Sequence, residues 1–370
     1  MMPTLRTLVL VVPLLLAVGA SAQSVPVGSC ERGTAEATLE TSRLSVPLFT
    51  DGRLFGVDPQ VRPDGPQYLV PRAEGAAAVS TTWLLATGYV GGDFRATARI
   101  EGPGDFWPGP LPDADAPPTD CAAYDRIWTV SREDIEWYLV TGEAAADLAE
   151  WPVHLGAPVV DGDGIAGNYD LAAGDQPDLL GDVAAWWVMN DAGNAHGLES
   201  GDLVSAPLGI EVRSQVFAFT GSPVPGLSPL TLRDASFLRV EIVNRRTVSI
   251  DSLRLSLFAH MEIGDAFDNF VGTDTLLNLS YAYNGDFVDD GAYGDHPPAW
   301  GIQVLRGPEG LPNRRDDDFD GVVDEPGERL RLTTAPPIDD TAAYYPTSPA
   351  EVLNLQRGRV PGGFYAGQYV

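Results

Sequence analysis

The sequence predicts a mainly β fold: an antiparallel β-sandwich-like architecture with long Gly-, Pro- and Asp-rich loops and one short helical insertion. Three observations lead there. Forty glycines and 31 prolines, with 44% hydrophobic residues, suit many strands joined by turns. Period-2 alternation marks half-buried strands, as in SFLRVEIVN, where Leu238, Val240 and Ile242 alternate with Arg239 and Glu241. The best helical signal is confined to one segment, TVSREDIEWYLVTGEAAADLAEW.

The chain opens with Arg6, an apolar run from Leu8 to Val18 and the small residues Ala20-Ser21-Ala22. This pattern predicts a signal peptide over 1–22, and hence a secreted protein, extracellular or on the outer cell surface. The run is too short for a membrane anchor, and no later segment offers about 18 uninterrupted apolar residues.

Residues 23–150 are expected to form an N-terminal β-rich region ending in the helical insertion. TTWLLATGYV and FRATARI read as strands joined by the turn Gly91-Gly92-Asp93, followed by a Pro/Gly-rich loop from Gly102 to Pro118. In the insertion Ser131 can cap, Asp134 follows three residues later, and Ile135, Tyr138 and Leu139 recur at helical spacing.

Residues 151–312 are expected to form a β-sandwich-like domain containing GIEVRSQVFAF, SFLRVEIVN and DSLRLSLFAHMEI. The last strand places Leu253, Leu255 and Leu257 on one face and Arg254, Ser256, His260 and Glu262 on the other. Linked by NRRTVSID, the last two strands read as an antiparallel hairpin. An acidic loop over 313–328 and a C-terminal tail over 329–370 complete the division. The tail RGRVPGGFYAGQYV has no alternation, so residues after about Tyr345 are expected to pack poorly.

All 23 basic residues are Arg, against 52 acids, for a formal charge of −29. Such a field repels phosphate backbones and anionic lipid, which argues against nucleic-acid and membrane-surface roles. The high-Asp surface fits a saline setting, where screening relieves self-repulsion. A GC-rich genome explains the missing Lys equally well, but not the Asp excess. Cys30 and Cys121 are the only cysteines, and an exported chain is expected to pair them.

No G-x-S-x-G or H-E-x-x-H occurs, and His154, His196, His260 and His296 are not spaced as helical metal ligands. VVDGDGIAGNYD satisfies G-x-G-x-x-G, but no helix follows to receive a pyrophosphate, and Asp161 and Asp163 would repel it. Asp161, Asp163 and Asp170 make better sense as oxygen ligands on a Gly-rich loop.

The strongest metal signal is NRRDDDFDGVVDEPGE. Asp316, Asp318 and Asp320 fall at positions 1, 3 and 5 of D-x-D-x-D-G-x-x-D, Gly321 supplies the turn, Val322 offers its carbonyl and Asp324 stands at position 9. Alternation turns these oxygens inward around a calcium ion, which takes about six to eight of them. Position 12 is Gly327 and no helices flank the loop, so it is not an EF-hand. Asp265, Asp268 and Asp274 precede the strand LLNLSYAY and Asp286, Asp289, Asp290 and Asp295 follow it; the first three form a weaker candidate set, with turn-forming Asp as the alternative.

WWVMNDAGNAH, PLGIEVRSQVFAF, FLRVEIVNR, GDAFDNFVGTDTLLNLSYAYNGD, YGDHPPAWGIQVLRGP and DFDGVVDEPGE together resemble a large group of secreted proteins from Bacteroidetes-type and related bacteria. WLLATGYVGGDFRATARI, DFWPGPL and CAAYDRIW extend the likeness over most of Thr81 to Glu328. The resemblance implies export, and members usually end in a type IX secretion sorting domain, which has no counterpart here. It brings no established activity or catalytic residues.

The expected function is therefore a calcium-stabilised secreted or cell-surface β protein with a structural or adhesive role. The alternative is a carbohydrate-binding module or glycoside hydrolase with a glycan partner. It would use exposed Trp107, Trp186, Trp187 and Trp300 as sugar platforms and Glu241 with Glu262 as paired carboxylates.

Overall fold

A computed structural model describes residues 25–305, apart from 58–61, 63, 75–76, 80, 100–101, 113–115, 198–204, 222–231, 248, 262, 266–267 and 275–276. The fold is mainly antiparallel β. An eight-stranded sheet contains Glu36–Glu40, Ser45–Phe49, Arg53–Leu54, Tyr68–Leu69, Ala77–Val79, Thr81–Val90, Asp93–Thr97 and Ile250–His260. A five-stranded sheet contains Trp107–Pro108, Trp128–Ser131, Val183–Asn190, Ile210–Ala218 and Ser236–Asn244.

One core joins the two sheets. Leu84, Ala86 and Val90 enter it from Thr81–Val90, and Ala185, Trp187 and Met189 from Val183–Asn190. Ile210, Val212, Val216 and Ala218 extend it along the next strand. Val183–Asn190 is buried on both faces because Trp186 and Val188 point the other way, into a second cluster with Trp128, Val130, Leu148, Trp151 and Leu155. That second cluster is the seat of the insertion between residues 132 and 180. Each large side chain so buried contributes about 1.5–3 kcal/mol relative to leaving it in water.

The helix forms where its start signals predict, over Arg132–Thr141. Ser131 accepts from the Asp134 N–H and the Asp134 carboxylate accepts from the Ser131 N–H, and Gly142 ends the helix in the left-handed region. Ile135 and Tyr138 pack on the second cluster, whereas Leu139 is exposed.

Two expectations need correction. Ser236–Asn244 and Ile250–His260 do not form a hairpin: the first pairs with Ile210–Ala218 in one sheet and the second with Thr81–Val90 in the other. Alternation reports a one-sided strand but not where that side faces: Leu238, Val240 and Ile242 pack on the shared core, whereas Leu253, Leu255 and Leu257 lie exposed on the edge strand of the other sheet. The division at residue 150 is likewise no structural boundary. The shared core draws residues from Ala37 to Trp300, and each sheet draws strands from both sides of that point.

A three-stranded sheet of Asn269–Asp274, Leu279–Asn284 and Trp300–Gln303 leans on the sandwich. Trp300 meets Tyr68 edge-on at 6.0 Å between ring centroids, and the Tyr293 hydroxyl donates to the Val70 carbonyl at 2.9 Å. Cys30 and Cys121 are joined in a disulfide that packs on Trp107. No helix among the described residues is long and apolar enough to cross a membrane.

Candidate metal centre

Within the insertion, Val159–Val160 pairs antiparallel with Gln176–Pro177 and closes a loop over 161–175. Register sets Val160 opposite Gln176, so Asp161 and Asp175 leave the neck side by side. The neck is tight: a Cβ on Gly162 would lie 2.3 Å from the Gly174 carbonyl oxygen, and Gly174 has φ of 105°, which an L side chain rarely adopts.

This loop gathers Asp161, Asp163 and Asp175, each offering a carboxylate oxygen within 4.8 Å of the others. Among the described residues no other group of three or more His, Cys, Asp or Glu converges in this way. Backbone and amide donors hold each carboxylate. Asp161 accepts from the Gly164 N–H at 2.6 Å, and Asp163 from the Ile165 N–H and the Asn168 amide, both at 2.8 Å. Asp175 accepts from the N–H groups of Gly162 and Asp170. The Asn168 amide, with the Ile165 N–H, holds the Asp163 carboxyl below its usual range, so it stays ionised.

The third acid differs from expectation. Asp170 turns away, its Oδ1 accepting from the N–H groups of Ala172 and Ala173 to cap the short 3-10 helix Leu171–Ala173. Asp175 takes its place. Pairing of Val159–Val160 with Gln176–Pro177 across the neck decides this.

Asp265, Asp268 and Asp274 are not brought together; the structure spends their neighbourhood on turns. Asp268 accepts from the Asn284 amide and Asp274 from the Leu277 N–H, while Asp289 takes the N–H groups of Asp265, Gly291 and Tyr293. Asp316, Asp318, Asp320, Val322 and Asp324 lie outside the described residues, as does Glu262.

The aromatic platforms are also corrected. Trp107, Trp186 and Trp187 are 1%, 2% and 0% exposed, and Trp300 packs on the core. Glu241 bonds to Arg213 at 3.2 Å. Three of the four tryptophans are thus fully committed to packing, because the strands that carry them are covered on both faces.

The donor set fits calcium. It consists of hard oxygens alone, two of the three carboxylates are open to water, and the loop is already curled around their meeting point. No soft or imidazole donor stands beside them among the described residues, which disfavours zinc or copper. No family model, curated protein or solved structure matches the chain.

Proposed function

We propose that the chain is a secreted or cell-surface β protein that uses calcium to stiffen the loops of a disulfide-linked sandwich, in a structural or adhesive role. The convergence of Asp161, Asp163 and Asp175 on one closed loop carries this reading. Three like charges this close repel one another, and a divalent cation turns the repulsion into binding free energy shared with folding. The Cys30–Cys121 disulfide is compatible with an oxidising compartment. The loop sequence at Asp316, Asp318, Asp320, Val322 and Asp324 is assigned the same ion.

The test is calorimetric titration of calcium into EDTA-stripped protein, with melting followed in parallel. Calcium at one hundred times Kd should stabilise by about 2.7 kcal/mol per site. Asp161→Ala should remove one binding event and Asp318→Ala the other. No binding heat, with equal melting temperatures in EDTA and in millimolar calcium, would end the proposal.

A further inference from the structure

On the five-stranded sheet, Ser236–Asn244 is an edge strand: among the described residues it pairs with Ile210–Ala218 and with no other strand. Its sequence, SFLRVEIVN, contains no Gly or Pro, and its register runs without a bulge from Asn244 opposite Ile210 to Ser236 opposite Ala218. Such an edge offers a row of main-chain donors and acceptors to a further strand, and proteins ordinarily blunt it with short strands, prolines, bulges or inward-facing charges. Two other edges of this molecule are blunted. The far side of the same sheet ends in Trp107–Pro108 and Trp128–Ser131, two and four residues long, and Ile250–His260 breaks its register between Asp251 and Arg254.

The side chains of Ser236–Asn244 alternate between two faces. Leu238, Val240 and Ile242 pack on the shared core, while Phe237, Arg239, Glu241 and Val243 stand on the outer face, with Arg239 and Glu241 exposed. Set antiparallel against a copy of itself and centred on Val240, this strand is self-complementary. Arg239 meets Glu241 of the copy, Glu241 meets its Arg239, Leu238 meets Ile242 and Phe237 meets Val243. A one-residue slip would set the apolar face of one copy beside the polar face of the other. Centring the pair on Arg239 would set two arginines directly opposite, and centring it on Glu241 two glutamates. Opposite charges across a ladder stabilise and like charges destabilise, so alternation and charge together select one register.

We propose that Ser236–Asn244 is a dimerisation edge, where two copies of this chain pair antiparallel about Val240 and join their five-stranded sheets into one. The distribution of charge favours this place. At −29 overall, two copies repel across most of their surface, but this strand carries one Arg and one Glu. Across its own ladder Glu241 bonds to Arg213 at 3.2 Å and Arg239 stands opposite the neutral Gln215. In the dimer, Glu241 lies between Arg213 and Arg239 of the second copy.

The core also has an uncovered rim on this side. Residues 245–249 carry the chain from Ser236–Asn244 into Ile250–His260 of the other sheet, so the two strands border the same side of the sandwich. Register sets Leu255 beside Ala86 and Leu257 beside Leu84, both core residues, yet these leucines are 37% and 36% exposed. A second copy drawn up to the neighbouring strand takes this apolar rim out of water.

The experiment is sedimentation equilibrium of the full chain in about 0.15 M salt, where a Debye length of about 8 Å screens the general repulsion but not charges in contact. At about 100 μM the parent should sediment with twice the mass of one chain. Arg239→Glu, an exposed substitution, sets acid opposite acid at two places and should weaken association by about tenfold or more. Glu241→Arg should do the same with arginines. Mixing the two variants restores opposite charges at both places, so the mixture should form a heterodimer where each variant alone does not. A monomeric parent at about 100 μM would overturn the proposal. So would an Arg239→Glu variant that associates as tightly as the parent, or two folded variants that fail to associate when mixed. If Glu241→Arg does not fold with its new arginine facing Arg213, the parent and Arg239→Glu decide the matter.

Discussion

The Asp175 carboxylate accepts the Gly162 N–H at 2.9 Å across the neck of the acidic loop, and its second oxygen accepts the Asp170 N–H at 2.7 Å. Asp175 is therefore both a member of the acidic triad and a brace for the loop. Asp175→Ala leaves two backbone donors without their partner, at about 1–3 kcal/mol each where they stay dry. Its melting temperature should fall in EDTA as well as in calcium. Asp161→Ala, at an exposed position with one backbone bond, should lower the melting temperature chiefly in calcium. Thermal melts of both variants under both conditions separate the roles, and identical behaviour would show that Asp175 does no bracing.

The disulfide makes a second prediction. Cys30 and Cys121 are 91 residues apart in sequence, with Cα atoms 5.7 Å apart, and both are buried against Trp107. Constraining a loop of this length should contribute about 4–5 kcal/mol through the unfolded state in the chain-entropy model. The double variant Cys30→Ala/Cys121→Ala should unfold at lower denaturant with a steeper dependence, because its unfolded chain exposes more surface. An unchanged midpoint would show that the clamp adds nothing to the packing.

Much of the sandwich was legible because burial imposes a period on one-sided strands. Leu238, Val240 and Ile242 announced their face, and Ser131 with Asp134 announced a helix start that forms as read. Partner choice was not legible. Nothing in the alternation of Leu253, Leu255 and Leu257 says that their strand joins Thr81–Val90 rather than its sequence neighbour, and as an edge strand it leaves those leucines 36–39% exposed. Trp186 and Trp187 misled for the opposite reason. A strand covered on both faces has no polar alternation, and VAAWWVMN displays that pattern. In the acidic loop, spacing identified Asp161 and Asp163. The choice of Asp175 over Asp170 depends on a two-residue strand pairing that no local period signals.

The helix cap offers a local test of the insertion. Ser131→Ala removes one half of the capping box and should cost about 1 kcal/mol. Asp134→Ala removes the reciprocal bond at 2.8 Å to the Ser131 N–H. The two residues share one network, so the double variant should cost less than the sum of the singles. Urea unfolding of the three variants measures the coupling. Strict additivity would mean that the two bonds act independently.

Acid should loosen the N-terminal strand before it disturbs the central sheets, and Asp125 is the reason. Burial pushes its carboxyl up, but the Thr50 hydroxyl, the backbone N–H groups of Thr34 and Ala35 and the Thr34 hydroxyl outweigh this, leaving it below its usual value. Those donors stand at the entry to Glu36–Glu40 and at the end of Ser45–Phe49, so the carboxylate ties both strands to the 3-10 segment Cys121–Tyr124. A group whose folded value is depressed stabilises above the unfolded value of about 3.9, and that contribution is lost as the pH falls through the folded value. The protein should therefore lose stability progressively below about pH 4. Asp125→Asn cannot accept all four bonds and presents donors to donors, so at neutral pH it should melt well below the parent. As the parent's carboxylate protonates, the two melting temperatures should converge. A gap that stays constant from neutral pH to about pH 3 would show that Asp125 stabilises by shape alone and that its charge is not what holds the strand.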